Sequence, residues 1–319
     1  MITIDDIITQ WGEEYTDRGQ GTENLHRELY NPLGLEAEQM VTIQTDNTVI
    51  EEANYEIVSR FQQFQTGYTP LGSVEFTPRP IPLHHVKWDN QELPHKIERG
   101  WTSFLAESKS DPQEWTLVRW MISEYGLKAR ENWGLNEVWK GLKGTLVADT
   151  ATPEGEVING LGKLRKDDIT AGGITPFVLG AIPTDNTILE YIENFIRLLP
   201  EAERRMGGDI CGDETFRENY RRAMRNVHNV NYMQYSDSQM TDVNLYPQFQ
   251  IKGYSEMAGS GVIFFTPKGN ILRGVKKNGA DNPITIQGLK REVYWFTDWY
   301  EGFGIIHPKR FYTNDQDLP

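Results

Sequence analysis

An α+β fold is predicted by three stretches of this sequence: a long amphipathic pattern over residues 111–133, a helix-containing block over roughly 166–254, and a β-branched, aromatic final third. In the first, Asp111 precedes Pro112 and Glu114 follows three places after Asp111, which is the order of an N-cap, a proline at the first helical position and a capping-box acid. Trp115, Val118, Ile122, Tyr125, Ala129 and Trp133 then recur along one stripe, which Leu117 and Met121 widen. At 1.5 Å per residue this helix would run about 35 Å. Leu135, Val138, Trp139 and Leu142 prolong the apolar face, and Gly141 and Gly144 stop it. Such a face needs a sheet or helices to cover it.

Taken in order, Ile4, Ile7, Ile8, Trp11 and Tyr15 fit a short amphipathic helix. Residues 16–47 are polar and broken by Gly19, Gly21, Pro32 and Gly34; an arm with so little apolar surface forms no core alone and should lie across this body or a neighbour. The segment Val49–Phe64 fits helix or strand. Gly67, Pro70, Gly72, Pro78, Pro80, Pro82 and Pro94 exclude helix over most of 66–94, while Val74, Phe76, Ile81, Leu83, Val86 and Trp88 supply β positions. This predicts a two-stranded excursion at 66–94, at an edge or projecting from the body. Pro94 opens a second helix carrying Ile97, Trp101, Phe104 and Leu105.

Past Gly144, the pair Asn159-Gly160 is a candidate hairpin turn. A helix is expected from Thr184 or Asp185 to Leu199, with Ile188, Ile192 and Phe195 spaced for burial, and another from Asp213 with Phe216, Tyr220 and Met224 on one face. Asp209-Ile210-Cys211 between them fits a short buried strand. Val262–Thr266 reads as a strand turned by Pro267–Asn270 into Ile271-Leu272, a hairpin. Ile284–Ile286, Val293 to Trp299 and Phe303–Ile306 complete the strands.

Composition narrows function. A chain of 319 residues holds one large or two ordinary domains, and its net charge of −14 disfavours a duplex-DNA binder, which needs a basic footprint. The single cysteine, Cys211, excludes intrachain disulfides and cysteine-rich zinc sites and points to a reducing compartment. The N-terminal MITIDDIITQW has acids where a signal peptide is basic, and no apolar run approaches the ~20 residues of a membrane span, so a soluble chain, cytoplasmic at synthesis, is expected. No catalytic motif emerges, and no cofactor or metal is assigned. His84 and His85 face opposite ways on a strand, Cys211 reads as a small buried hydrophobe, and GYSEMAGSGVIFFTPKGN leads into a strand where a phosphate loop leads into a helix. Arg217, Arg221, Arg222 and Arg225 interleave with Asp213, Glu214 and Glu218, a pattern of ion pairs.

The order of parts resembles the major capsid protein of tailed bacteriophages, the Hong Kong 97 type fold shared with encapsulins. The resemblance lies in succession: residues 1–50 look like the N-terminal arm, 51–100 like the extended β-hairpin loop and its flanks, and 101–165 like the peripheral domain with spine helix 111–133. Residues 166–254 look like the inserted axial domain, and 255–319, with REVYWFTDWYEGFGIIHPKRFYTN, like the closing strands. It implies a non-enzymatic subunit that assembles with copies of itself, as hexamers and pentamers, into an icosahedral shell. That shell would enclose DNA without sequence-specific binding, in a virion assembled in the host cytoplasm and with no membrane contact. Portal, scaffold and decoration proteins are its implied further partners. No removable scaffolding segment precedes the arm, which implies a separate scaffold or none. Phe76, Arg79, Lys87, Trp88 and Glu92 are the intersubunit residues it places on the loop. Some members cross-link a loop lysine to a neighbour's asparagine; Lys87 lies in that region, and that chemistry is not carried over. Two rival readings are an encapsulin-type compartment and a cytoplasmic enzyme or ligand-binding protein with Arg217 in a cleft between two subdomains.

Overall fold

The computed structural model describes residues 4–11, 33–59, 61–67, 69, 72–108, 117–228, 241–277 and 285–319. Helix α1 (Ile4–Trp11) is followed by α2 (Gly34–Gln39), β1 (Met40–Thr45), β2 (Val49–Ser59), β3 (Gly72–Pro82), β4 (His84–Glu92) and α3 (Pro94–Ser108). The spine helix α4 (Leu117–Trp133) continues as a π-helical turn, Gly134–Val138. Next come α5 (Leu161–Thr170), α6 (Ile188–Leu198), α7 (Glu201–Met206), β5 (Gly208–Asp213), α8 (Glu214–His228), β6 (Asp242–Val243) and β7 (Tyr246–Tyr254). The closing strands are β8 (Phe264–Phe265), β9 (Ile271–Lys276), β10 (Thr285–Leu289), β11 (Glu292–Ile305) and β12 (Tyr312–Thr313).

Strand β11 organises the first sheet: it runs antiparallel to β10, β4 and β9, and β9 in turn pairs parallel with β1. Val293, Trp295, Thr297, Trp299 and Glu301 alternate inward along it, the period of a strand with one covered face. Helices α1, α3 and α4 cover that face around Val293 and Trp295 through Ile7, Ile97, Leu117, Trp120 and Met121. Burying each large apolar side chain contributes about 1.5–3 kcal/mol relative to exposure. Helices α3 and α4 meet closely at Gly100, where a Cβ would stand 2.7 Å from the Trp120 ring.

The second sheet has the order β12-β8-β5-β7-β6. Ile188, Ile192 and Phe195 of α6 and Phe216, Tyr220 and Met224 of α8 pack with its Phe249, Ile251 and Phe265. Asp213 caps α8, its Oδ1 accepting the Phe216 N–H at 2.6 Å. A third cluster joins the two halves: Trp139 stacks on Phe264 at 5.7 Å between centroids, and Trp133, Trp299, Phe303 and Cys211 complete it.

Several sequence expectations are corrected. The two-stranded excursion spans 49–82, not 66–94: β2 pairs with β3 from Val49↔Pro82 to Ser59↔Gly72, whereas β4 lies inside the first sheet. The break at Leu83 turns the chain from the hairpin into the body and makes no hairpin of its own. Residues 34–50 do not belong to an arm, because Leu35 and Met40 are buried and β1 is a sheet strand, and Ile7 of α1 is buried in a core as well; residues 12–32, the rest of the expected arm, lie outside the described residues. Gly160 precedes α5 in extended backbone, so Asn159-Gly160 is no hairpin turn; Asn159 accepts the Lys143 N–H instead. Pro267–Asn270 carries the chain from one sheet to the other, since β8 pairs with β5 and β12 while β9 pairs with β1 and β11. The capping sequence Asp111–Glu114 lies outside the described residues.

Candidate functional site

The feature that leaves the body is the β2–β3 hairpin, and its geometry is built from the root. Ile50, Ile81 and Leu83 form a small buried cluster with Leu272. Glycines of the sheet let them settle: a Cβ on Gly302 would lie 2.3 Å from the Pro82 carbonyl oxygen, and one on Gly304 would lie 2.3 Å from Ile81 Cδ1. Arg79 then donates to both carboxylate oxygens of Asp168 on α5, at 2.6 and 2.5 Å. A two-stranded ribbon has marginal stability alone, so this seat and tether fix its direction.

Strand β3 carries Pro78, Pro80 and Pro82 at alternate positions. The Leu83 N–H points to β2, bonding Thr48 O at 2.8 Å, so residues of the opposite parity, these prolines among them, face the outer edge. That edge offers carbonyls and no donors over Pro78–Pro82, which blocks regular strand addition there. At the far end Phe61 and Phe64 are fully exposed. Gln62 and Gln65 donate to Thr69 O and Oγ1 at 2.5 and 2.6 Å across the turn.

A second feature fastens the N-terminal segment to the spine. Arg130 of α4 bonds the carboxylate of Glu36, to which the Trp133 indole also donates at 3.1 Å. Arg130 Nη1 lies 3.6 Å from Glu301 Oε2, and Glu301 accepts from Arg273 Nε at 2.5 Å and Trp299 Nε1 at 2.8 Å. All four charged groups are buried. Burial chiefly, with Glu301 adding and Arg130 opposing, pushes the Glu36 carboxyl up to about 7. Burial acts on Glu301 as well, and there Arg273 and Arg130 outweigh it and hold the carboxyl down at about 2.

The five residues read from sequence as intersubunit groups separate. Phe76 is on β3 and 68% exposed. Arg79 is at the root, engaged with Asp168. Lys87, Trp88 and Glu92 belong to β4 in the body: Lys87 is exposed and pairs with Asp89 at 2.5 Å, and Trp88 is half-buried against two core clusters. Glu92 pairs with Lys96 at 3.1 Å, and the Leu93 N–H together with Lys96 lowers its carboxyl. The tip phenylalanines escaped sequence reading, although the uncharged run FQQFQTG was a usable signal.

Candidate chemistry elsewhere is thin. His84 and His85 point apart, to Lys143 and to Asp298. Among the described residues no cluster of three metal-ligating side chains occurs, and no helix is long and apolar enough to cross a membrane. Cys211 is fully buried, and burial raises its thiol well above the ordinary value. Cavities of about 370 Å³, beside Asp89 and Trp295, and about 290 Å³, beside Trp139 and Leu142, do not include Arg217, which pairs with Glu214 at 3.2 Å.

Comparison with solved structures places this architecture. A chain of the satellite phage P4 procapsid with its size determination protein aligns at TM-score 0.61 over 99% of this chain and 96% of that one, at 8% identity. The chain has the Hong Kong 97 type capsid fold. The capsid of the native GTA particle aligns at 0.55, with 11% identity over 89% of this chain and 90% of that one. A virus-like particle from Pyrococcus furiosus aligns at 0.50, with 9% identity over 95% and 100%. No family model and no curated protein matches the sequence.

Proposed function

We propose that this chain is a major capsid protein, a structural subunit whose copies tile into the closed shell of a tailed phage. The observation that carries the reading is the alignment of 99% of the chain with a chain of a phage procapsid. The body supports it physically. It sends out a ribbon that adds contact area without adding core, and it caps one edge of that ribbon with prolines, which favours closed over open-ended association. Hexamers and pentamers are the proposed units, DNA the enclosed cargo, and portal, scaffold and decoration proteins further partners; assembly takes place in the host cytoplasm.

The net charge of −14 supports a wall that releases packaged DNA, because counterion release gives an acidic surface no affinity for phosphates. Of the five residues assigned from sequence, Phe76 keeps its proposed place on the projecting ribbon, and Arg79 acts by aiming it. Negative-stain electron microscopy of the purified chain tests the reading. Capsomers or shells are expected, with nuclease-protected DNA in particles from phage-producing cells. Enclosed protein cargo would favour a compartment shell, and a discrete monomer at high concentration would end the proposal.

A further inference from the structure

We infer that the recess between Trp139, the first turns of α5 and the bend at Ala258–Ser260 is an anion site, shaped for the phosphate group of a small ligand. The site lies within one subunit and does not depend on assembly. The recess holds about 290 Å³, at the small end for ligand sites and roomy enough for a phosphate with a short substituent. Its wall runs against the net charge of −14: Lys140, Lys163 and Lys166 line it, opposed by one carboxylate, Asp317.

Donors of different kinds converge there. Trp139 is 2% exposed, its ring stacked on Phe264, and it lines the recess. Its indole Nε1–H finds no acceptor among the described residues, whereas the Trp133 and Trp299 indoles both donate to carboxylates. A buried donor without a partner is costly, so this one calls for an acceptor from outside the chain. Gly162 lets the ring lie close, since a Cβ there would stand 3.3 Å from Nε1 and 2.7 Å from the Trp139 carbonyl oxygen. Gly162 also lies in the first turn of α5, whose N-cap, Gly160, makes no side-chain capping bond, so the positive end of the helix is open to an anion.

Lys140 is exposed and has no carboxylate partner among the described residues. Lys163 and Lys166 pair with Asp167 and Asp317, whose side chains are 53 and 39% exposed; surface pairs of this kind are held weakly and yield to a stronger anion. Ser260 Oγ accepts the Val262 N–H at 3.2 Å, which leaves its own hydrogen to donate. The bend belongs to the glycine-rich run GYSEMAGSGVIFFTPKGN, which leads into a strand; α5 brings the helix end that this run lacks. Three cations with donors from separate elements suit the several oxygens of a phosphate better than the two of a carboxylate. The small recess and the acidic body select a small anion over a polyanion.

Equilibrium dialysis of the full chain against radiolabelled inorganic phosphate tests the site, with ionic strength held constant by chloride. Saturable binding of one phosphate per chain is expected, together with a rise in melting temperature. Lys140→Ala and Lys163→Ala should each weaken binding by about tenfold, the scale of one charge-assisted hydrogen bond, while Lys268→Ala, an exposed lysine outside the recess, should leave it unchanged. Trp139→Phe keeps a stacked ring and removes only the N–H donor; the folded variant should lose phosphate affinity by a similar factor. Absence of saturable binding above the chloride background, or equal losses in Lys140→Ala and Lys268→Ala, would overturn the site. A short single-stranded oligonucleotide is the competing source of phosphate. Its failure to displace the small anion is expected, and displacement at a lower concentration than inorganic phosphate requires would give the lysines to nucleic acid and overturn the small-ligand assignment.

Discussion

Glu36 and Glu301 share Arg130 and yet titrate in opposite directions, and the cause is the balance of burial against the same two cations: burial wins at Glu36, and Arg273 with Arg130 outweighs it at Glu301. Glu301 lies between Arg273 and Arg130, so its native carboxyl is depressed to about 2. Its contribution is present above the ordinary 4.5 and is lost as pH falls from there toward 2. Glu36 is raised to about 7; its contribution is full below 4.5 and lost as pH rises toward 7. Thermal melts across pH 3–8 should therefore show Glu36→Gln flattening the decline between pH 4.5 and 7, by on the order of 3 kcal/mol at most. Glu301→Gln leaves Arg273 and Arg130 buried with one carboxylate fewer and should cost roughly 3–5 kcal/mol at neutral pH. An unchanged pH profile in Glu36→Gln would remove that carboxyl from the titration. Gly302→Ala tests the hairpin seat: its Cβ meets the Pro82 carbonyl oxygen, so assembly should weaken more than melting does. The network was illegible in the sequence because Arg130 sits beside the apolar stripe as any solvated residue does. Glu301, likewise, falls among aromatics in DWYEGFGII with no partner within reach along the chain.

At the scale of elements, legibility followed burial. Helices α3, α6 and α8 were readable because each presents a one-sided apolar face to a core, and the strand β5 because Ile210 and Cys211 are an apolar pair buried on its two faces. Strand β2 was not: a ribbon projecting from the body needs no inside face, so EEANYE shows no alternation that would separate strand from helix. The same absence displaced the excursion toward the proline-rich residues and drew β4 into it, and Trp88 with it. The hairpin predicted over 262–272 failed because a tight turn looks alike whether it joins paired strands or crosses between sheets, and both flanks are buried. The corrected boundaries give opposite outcomes for two deletions. Replacing 52–79 by a short turn should leave a folded, soluble subunit that does not assemble, judged by circular dichroism and sedimentation. Deleting 84–92 removes the strand that pairs with β11 from Val293 to Glu301 and should unfold the subunit. If the first deletion also unfolds it, the ribbon belongs to the core.

For the molecule as a whole, the governing quantity is the −14 charge repeated in every copy. Copies repel at distances set by the Debye length, about 10 Å at 0.1 M salt and 3 Å at 1 M. The tip of the projecting ribbon, by contrast, is uncharged: residues 61–67 carry no ionisable side chain, and Phe61 and Phe64 stand exposed there. Salt then screens the repulsion and leaves the attraction intact, so assembly should speed up and go further as ionic strength rises from 0.05 to 0.5 M. An interface of intersubunit ion pairs gives the opposite slope. Light scattering during a salt series separates the two, and the Phe61→Ser, Phe64→Ser variant sharpens the result. With the two exposed rings gone, added salt should relieve repulsion without restoring shells, whereas rescue of that variant by salt alone would mean that charge, and not the two rings, decides whether copies stay together.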